Sequence, residues 1–560
     1  MVAIVGGSDL GLATASGLVL GNRGQLGSAD QGRAGEGVTV NAVTGNLVLQ
    51  RQDEYLAGTG VDIGVLRTYN SLGLLNDDNG DNWRLGYSRK VYGLTGTVNT
   101  AGSTIKRLGE DGADVLYTYD TTRAAYVSTK GHGAYDLLTF NSGTNRWTWT
   151  DGHTQTKEVY DNANSGRLIQ VLDPDGNTVT IGYNAAGLVN LITDANGEKT
   201  YIDYDSTAGK TSNITQLRTV NSSAATLTRV RYGYDSSNRL TTVTVDLSPT
   251  DNSITDAKTY ATTYTYDSTS RRVASLTQSD GSQLQFTYVQ VGADYRIQTV
   301  KDVRGSDIRT TTYAYDTTNR KTTVTDPVGQ VTEFTYDTNN QLLSIKTPAV
   351  NGVSALTSFT YDANGNVATV TDARGNVITY GYDGNGNRTL ERDAAGNTVT
   401  RTFGSANQLL TETAYTTPDP DGAGAGLPGG ALTTRYVYDS ELHLRFTLSP
   451  EGRVAESRYN TVGQRTSTFA YLASVYAVGG LTDTQSPTEA QMTTWLTGVT
   501  LAQSTRSDIT YDARGQVSQV TRYASVDAAG VGVVDGTQSS TQYVYDQAGN
   551  LLQTIDARGV

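Results

Sequence analysis

Residues 361–400 read YDANGNVATVTDARGNVITYGYDGNGNRTLERDAAGNTVT, a series of five- or six-residue runs in which apolar and polar side chains alternate. The runs are rich in Val, Thr, Ile and Tyr, which suit a pleated, half-buried surface, and each predicts a strand of roughly 20 Å. In NVITYGYD the side chains of Ile378, Tyr380 and Tyr382 share one face, while Thr379 and Gly381 share the other. In TVTRTF, Val399, Arg401 and Phe403 lie on one face and three threonines on the opposite one. Neither face is a clean apolar stripe, so a dry two-sheet sandwich fits poorly. The expectation is a sheet that curls around a wet lumen, with tyrosine rings stacking from strand to strand.

The runs are punctuated by Asp-x-x-Gly. Asp first and Gly fourth is the preference of a type I turn, with the glycine at φ > 0 closing a short hairpin. The Asp carboxylate can accept backbone N–H groups inside such a turn. Asp362 with Gly365, Asp372 with Gly375, Asp383 with Gly386 and Asp393 with Gly396 therefore predict four successive reversals, and consecutive strands should pair antiparallel in a long meander. On this reading the repeated acid is turn chemistry, not a row of sites.

Tyrosine precedes the acid at one edge of each unit. Tyr-Asp pairs begin at Tyr119, Tyr160, Tyr204, Tyr234, Tyr266, Tyr315, Tyr336, Tyr361, Tyr382, Tyr438, Tyr511 and Tyr545, with Tyr183-Asn184 and Tyr459-Asn460 as degenerate members. The intervals 183 to 204, 315 to 336, 361 to 382 and 438 to 459 are all 21 residues, and a fixed period of this size is the signature of a repeat architecture. The repeat residues singled out as structural are Tyr315-Asp316, Tyr336-Asp337, Tyr361-Asp362, Tyr382-Asp383, Tyr438-Asp439, Tyr511-Asp512 and Tyr545-Asp546, with the turn residues named above.

Composition narrows the class. The 560 residues include 61 Gly and 35 Tyr against 7 Phe and 4 Trp, and only 18% are charged. A ring with a hydroxyl suits half-buried or wet surfaces, so the balance fits a folded, polar, β-rich chain. The net charge of −13 with no basic cluster argues against nucleic acid. The absence of Cys excludes disulfides, thiol catalysis and thiolate zinc sites. The start, MVAIVGGSDLGLATASGLVLG, lacks the basic region of a secretory signal, and no run reaches the length of a membrane span.

YDANGNVATVTDARGNVITYGYD resembles the YD repeat of bacterial RHS proteins, which also occurs in Tc-toxin subunits and animal teneurins. TGNLVLQ (44–50), LRTYNS (66–71) and NWRLGYSRKVYGL (82–94) resemble the region that leads into the repeats of bacterial RHS proteins. The resemblance implies a hollow shell, a β ribbon spiralling around a cavity with inward-facing tyrosines, that encloses a toxic C-terminal domain. No counterpart of the family's self-cleaving closing segment is found, and the chain stops midway through a unit, so it reads as part of a longer protein.

The expected organisation is all-β: a Gly-rich N-terminal segment, 1–40, as plug or linker; a β-rich lead-in region, 41–150; and a YD-repeat shell, 151–560. Two insertions interrupt the shell. TTPDPDGAGAGLPGGAL (416–432) predicts a projecting loop. Within 470–505, SPTEAQMTTWLTG predicts a short helix with Ser486 as N-cap, Pro487 at the first position, Glu489 closing a capping box and Gly498 as the stop. Met492, Trp495 and Leu496 would face the sheet. A decoration capping an edge outweighs a partner-docking helix.

Sites of chemistry are few. VGGSDLGLATA (Val5–Ala15) carries Gly6, Gly7 and Gly11 at imperfect spacing and no following βαβ pattern, so a nucleotide loop is disfavoured. Asp77, Asn79 and Asp81 alternate as calcium ligands do, but no bidentate acid follows at the required distance, and a turn is favoured. His132, His153 and His443 stand in unrelated contexts and form no metal-ligand pair. No catalytic residue, cofactor or metal is therefore assigned. The expected function is a non-enzymatic shell segment that encloses and helps deliver a C-terminal domain, secreted or at the cell surface. The alternative is an extracellular scaffold for cell-surface carbohydrate. Replacing Gly375 or Gly396 by Val should lower the thermal unfolding midpoint, because a β-branched residue resists φ > 0; an unchanged midpoint in both would contradict the turn assignment.

Overall fold

The computed structural model describes residues 3–7, 10–12, 30–31, 35–73, 79–131, 133–221, 223–423, 427–546 and 549–559. Two sheets account for nearly all of it. In the first, Ala3–Val5 runs parallel to Glu36–Asn41, which pairs antiparallel with Leu47–Leu56, followed by Ile63–Asn70 and Trp83–Leu85; Asp30–Gln31 also pairs with Glu36–Asn41. The second begins at Lys90–Thr95 and continues to Leu551–Ile555, each strand antiparallel to the next along the chain. The switch between sheets falls at residues 86–89, inside the lead-in region read from sequence.

The repeat sets the register of the long sheet. Thr360 pairs with Thr369 but Tyr361 with Val367, so Ala368 is an extra residue on its strand. At the opposite edge Val370 pairs with Ile378 and Thr371 with Val377, and no shift occurs. The same shift recurs at Tyr183, Tyr204, Tyr234, Tyr266, Tyr288, Tyr336, Tyr382, Tyr438, Tyr459, Tyr511 and Tyr545. A bulge bends the strand that carries it and raises the local twist; most of the ribbon's bulges share one edge, with exceptions beside Val220 and Val454, and so curve it in one sense. The ribbon's start is closed: Arg167 pairs back with Lys90, and Val91 N donates to Gly166 O at 2.8 Å.

The N-terminal sheet lies on the inner face of the ribbon. It touches strands widely separated in sequence, with Leu12 N on Asp111, Glu54 on Thr219 and Thr228, Arg67 on Tyr264, and Gly45 O accepting Ile297 N. A compact sheet can reach so many strands of one ribbon only if the ribbon wraps it. Its apolar residues, among them Val38, Leu49, Val65 and Trp83, join Tyr264, Phe286, Val300, Phe334 and Phe359 of the wall in a single core. The stretch Val5–Ala15 is used in this packing where it is described: Gly7 O accepts Asn41 Nδ2, and Leu342 covers Gly6.

The helix spans Glu489–Leu496, later than the sequence predicts. Its N-cap is Thr488, and Gln491, not Glu489, closes the capping box. The box closes two residues later because Thr488 Oγ1 accepts Gln491 N and Gln491 Oε1 accepts Thr488 N, while the Ser486 hydroxyl is turned to Tyr436 O at 2.9 Å. Thr497 is the C-cap, and Gly498 N reaches Trp495 O at 3.1 Å. Met492 is buried with Val437, Phe446, Leu448, Val454, Phe469 and Tyr471, and Trp495 and Leu496 pack against that cluster. Val437 and Phe446 are cross-strand partners on the face opposite Tyr438, so this second core lies on the outer side of the wall.

The loop after Thr417 folds back onto the repeat, where Asp419 N donates to Gly396 O at 2.8 Å. Gly375 and Gly396 have φ of +85° and +86°, but a Cβ at Gly375 meets open space, whereas one at Gly396 would lie 2.4 Å from Pro420 N. Gly375→Ala should cost about 1–2 kcal/mol from left-handed strain alone. Gly396→Ala should cost about 1–3 kcal/mol more through the clash. Chemical denaturation of the two variants checks this, and equal losses would contradict the loop's seat on the turn.

Candidate functional site

The repeated unit is a Tyr-Asp turn with five working positions. Asp362 Oδ1 accepts the N–H groups of Asn364 and Asn366, each at 2.9 Å, and Gly365 N donates to Asp362 O. The fifth residue, Asn366, donates its Nδ2 to Asp362 Oδ2 at 2.9 Å. The same clamp joins Asp372 to Asn376, Asp383 to Asn387, Asp393 to Asn397 and Asp546 to Asn550. Hydrogen bonds from the Asn side chains hold the Asp372 and Asp393 carboxyls below their usual range. At Asp512 the fifth residue is Gln516, and at Asp337 it is Gln341, with Asn340 at φ +62° in the glycine's place. The Asp316 turn differs, because Asn319 clamps the acid and Arg320 takes the left-handed position.

The tyrosine that begins each turn laces neighbouring hairpins. Tyr382 OH donates to Val367 O at 2.9 Å, the first strand residue after the preceding turn on that edge. Tyr204 reaches Val189 O, Tyr288 reaches Val273 O, Tyr315 reaches Ile297 O, Tyr361 reaches Leu342 O and Tyr459 reaches Leu444 O, all between 2.6 and 3.1 Å. Tyr511 spans the helical insertion to Arg465 O. Tyr336, Tyr438 and Tyr545 occupy the same position before their turns. Guanidinium groups cover several of these rings, with Arg167 over Tyr183 at 4.1 Å and Arg239 over Tyr266 at 4.7 Å. Most of the repeat tyrosines are thus joined by hydroxyl-to-carbonyl bonds, and several are capped by arginine, where the sequence predicts ring-on-ring stacking.

Two residues before each repeat tyrosine stands an inward side chain. Tyr117, Ile181, Ile202, Tyr232, Tyr264, Phe286, Tyr313, Phe334 and Phe359 are buried at this position, but Tyr380, Tyr436, Ile509 and Tyr543 are only half-buried. Two of the buried set contact charged groups of the N-terminal sheet. Tyr232 OH donates to Asp53 Oδ2 at 2.7 Å, and Tyr264 OH accepts Arg67 Nη1 and donates to Glu36 Oε1, both at 2.9 Å. Arg67 Nε also binds Asp53 Oδ2 at 2.8 Å, so one guanidinium serves two buried carboxylates, and burial raises Glu36. Trp83 Nε1 donates to Tyr266 OH, tying the sheet to a lacing tyrosine.

Adjacent coils meet through their turns. Tyr135 N donates to Asn385 O at 2.7 Å, Asn407 Nδ2 to Gly152 O at 2.8 Å, and Asn177 Nδ2 to Val462 O at 3.1 Å. The last two pairs are 255 and 285 residues apart, and Arg514 meets Glu198 across 316, so the chain offset between touching turns grows along the seam. His443, unassigned in the sequence reading, lies on this seam between Asp439 and Asp175. His153 is exposed, and His132 lies outside the described residues.

Asn79 Nδ2 donates to Asn213 Oδ1 and Asn238 O, while the Asp81 carboxylate accepts Trp83 N and Leu240 N. Burial pushes Asp81 up to about 7. These two residues pin the turn before Trp83 to the wall; Asp77 lies outside the described residues. A cavity of about 660 Å³ near the closed start of the ribbon is lined by Arg107, Tyr117, Asp136, Trp149 and Glu158. Glu158 is engaged at both oxygens by Arg89, Arg107 and Tyr160, and Arg107 stacks on Trp149 at 3.7 Å.

The RHS repeat family matches residues 164–199, 315–349 and 361–398, and a domain of unknown function, DUF6531, matches residues 37–116. No curated protein matches the chain. Among solved structures, a crystal structure of TcdB2-TccC3 aligns at 14% identity with a TM-score of 0.35, covering 91% of this chain and 30% of that one. TcdB2-TccC3-Cdc42 aligns at 14% identity and 0.35, covering 91% and 26%. The Tc holotoxin pore of Photorhabdus luminescens aligns at 14% identity and 0.33, also covering 91% and 26%. The chain spans less than a third of the length of each.

Tyr382→Phe should cost about 1 kcal/mol, because the Val367 carbonyl loses its hydroxyl donor. Tyr380→Phe, whose hydroxyl bonds to no described residue, should be close to neutral. Urea denaturation of both checks this, and equal effects would contradict the lacing.

Proposed function

This chain is an RHS/YD-repeat protein, and from that premise we propose that it is a wall segment that encloses, and helps deliver, a C-terminal polypeptide of the same longer protein. A toxic domain is the cargo that the family resemblance implies, and the setting is secreted or at the cell surface. In this reading the wall is not an enzyme and takes no cofactor. No helix among the described residues is long and apolar enough to cross a membrane.

The inner row of side chains supports the reading. From Tyr117 to Phe359 it is buried, largely against the N-terminal sheet, and from Tyr380 through Tyr436 and Ile509 to Tyr543 it is half-buried. The same repeat position thus already packs against polypeptide over one coil and offers a partly apolar surface over the next. Covering it would contribute about 25 cal/mol per Å² of apolar area. The wall can hold its shape without that cover, since lacing and turn clamps act only between nearest neighbours.

Sequencing the native gene past codon 560 identifies the downstream domain, and limited proteolysis of the full-length protein tests its enclosure. The domain should survive a protease dose that degrades it when it is expressed alone. Degradation at the same rate in both would contradict enclosure. Glycan-array binding by the present chain, lost on deletion of 416–432 and 470–505, would place the carbohydrate scaffold ahead.

A further inference from the structure

Four places after the acid, the repeat turn uses Asn to close the clamp, as Asn366 does on Asp362 and Asn387 on Asp383. After Asp439 that place is taken by His443. Its backbone N–H donates to Asp439 Oδ1 at 2.8 Å and its Nδ1 lies 2.9 Å from Asp439 Oδ2, so the imidazole replaces the amide within its own turn. The imidazole carries a second nitrogen. Nε2 lies 2.9 Å from Oδ1 and 3.0 Å from Oδ2 of Asp175, in a turn of the neighbouring coil 268 residues away. The ring stacks on Tyr459 with centroids 4.5 Å apart and planes inclined by 15°.

We propose that His443 is a pH-responsive latch that joins two successive coils of the wall, closed when the imidazole is protonated and loosened when it is neutral. An imidazolium donates from both nitrogens and satisfies Asp439 and Asp175 together. Neutral imidazole has one N–H, so one nitrogen must present a lone pair to a carboxylate. The charged groups acting on the ring are Asp439 on its own turn and Asp175 across the seam; Tyr459 presents a neutral ring face. Asp173, on the same turn as Asp175, is held by Asn177 Nδ2 at 2.7 Å, and Asn177 itself reaches Val462 O. Burial pulls the imidazole down, but the hydrogen bonds to Asp175 and Asp439 outweigh it and hold His443 above its ordinary value. The latch therefore contributes fully below the ordinary histidine pKa of about 6.5, and its contribution is lost as pH rises through the raised value.

The chain has 3 histidines, so its imidazole carbon signals can be followed individually by NMR. His443 should titrate above the ordinary histidine value of about 6.5. Hydrogen exchange at 173–177 and 460–464, corrected for intrinsic rate at each pH, should show the seam opening more often as pH rises. The gain should be up to about tenfold for each unit separating the closed and open midpoints. In His443→Asn the repeat's own clamp is restored and the seam bond removed, so the pH dependence should vanish while the turn persists. Should that variant fail to fold, Asp175→Asn keeps the turn; it should lower the His443 midpoint and flatten the exchange profile. Asp81 and Asp136, pushed by burial to about 7 and about 6, titrate in the same window but are common to all the proteins and cancel in the comparison. Identical pH profiles in wild type and either folded variant would overturn the latch.

Discussion

The wall depends on one asymmetry: the antiparallel ribbon gains an extra residue beside most of its repeat-tyrosine turns and seldom at the opposite edge. Ala368 is such a residue, lying where the pairing slips between Thr360 and Tyr361, whereas Thr371 meets Val377 without a slip. Two clamped turns and two strands, that odd residue included, fill the 21-residue period. Because most of the bends fall on the same edge, they accumulate, and a flat meander becomes a coil. The tyrosine hydroxyl then fixes the bent edge. Where it bonds, as at Tyr361, Tyr382 and Tyr459, it reaches a carbonyl just beyond the preceding turn, so the spacing of those bulges is set by a covalent ring of fixed length.

Coiling sorts the functions of the two faces. Inside, the residues two places before each lacing tyrosine form a continuous row, and the N-terminal sheet occupies much of its first part through Arg67, Asp53 and Glu36. Outside, the insertion holding Met492 and Trp495 covers a separate apolar patch and leaves the inner row untouched. Turns at the ribbon's edges do the remaining work, since they alone can touch the next coil. Arg123 on Gly384 O, Asn407 on Gly152 O and His443 on Asp175 are contacts of this kind. The wall is therefore held by short-range lacing along the ribbon and by a few polar links between coils.

Local chemistry was legible in the sequence. Asp-x-x-Gly specified the reversals at Asp362, Asp372, Asp383 and Asp393, and alternation specified the strands between them. The Asn after each glycine was equally visible and passed unused, although it supplies the clamp and marks His443 as an exception. What depended on distant partners was not legible. Thr488 and Ser486 each begin a capping-box spacing, and the fold caps with Thr488 while the Ser486 hydroxyl turns to the Tyr436 carbonyl. Tyr232 and Tyr264 look like any strand tyrosine until Asp53 and Glu36 arrive from well over a hundred residues away. Periodicity likewise gave no sign that the inner face would be filled from Tyr117 to Phe359 and open from Tyr380 onward.

An electron cryo-microscopy reconstruction of the isolated chain tests the coiled, one-edge-bulged wall most directly. The account predicts a curved ribbon whose turns stack with Tyr135 against Asn385 and Asn177 against Val462, with residues 36–73 and 79–85 seated on the concave side. An uncoiled ribbon, or coils in register at a different offset with those residues on the convex side, would contradict it.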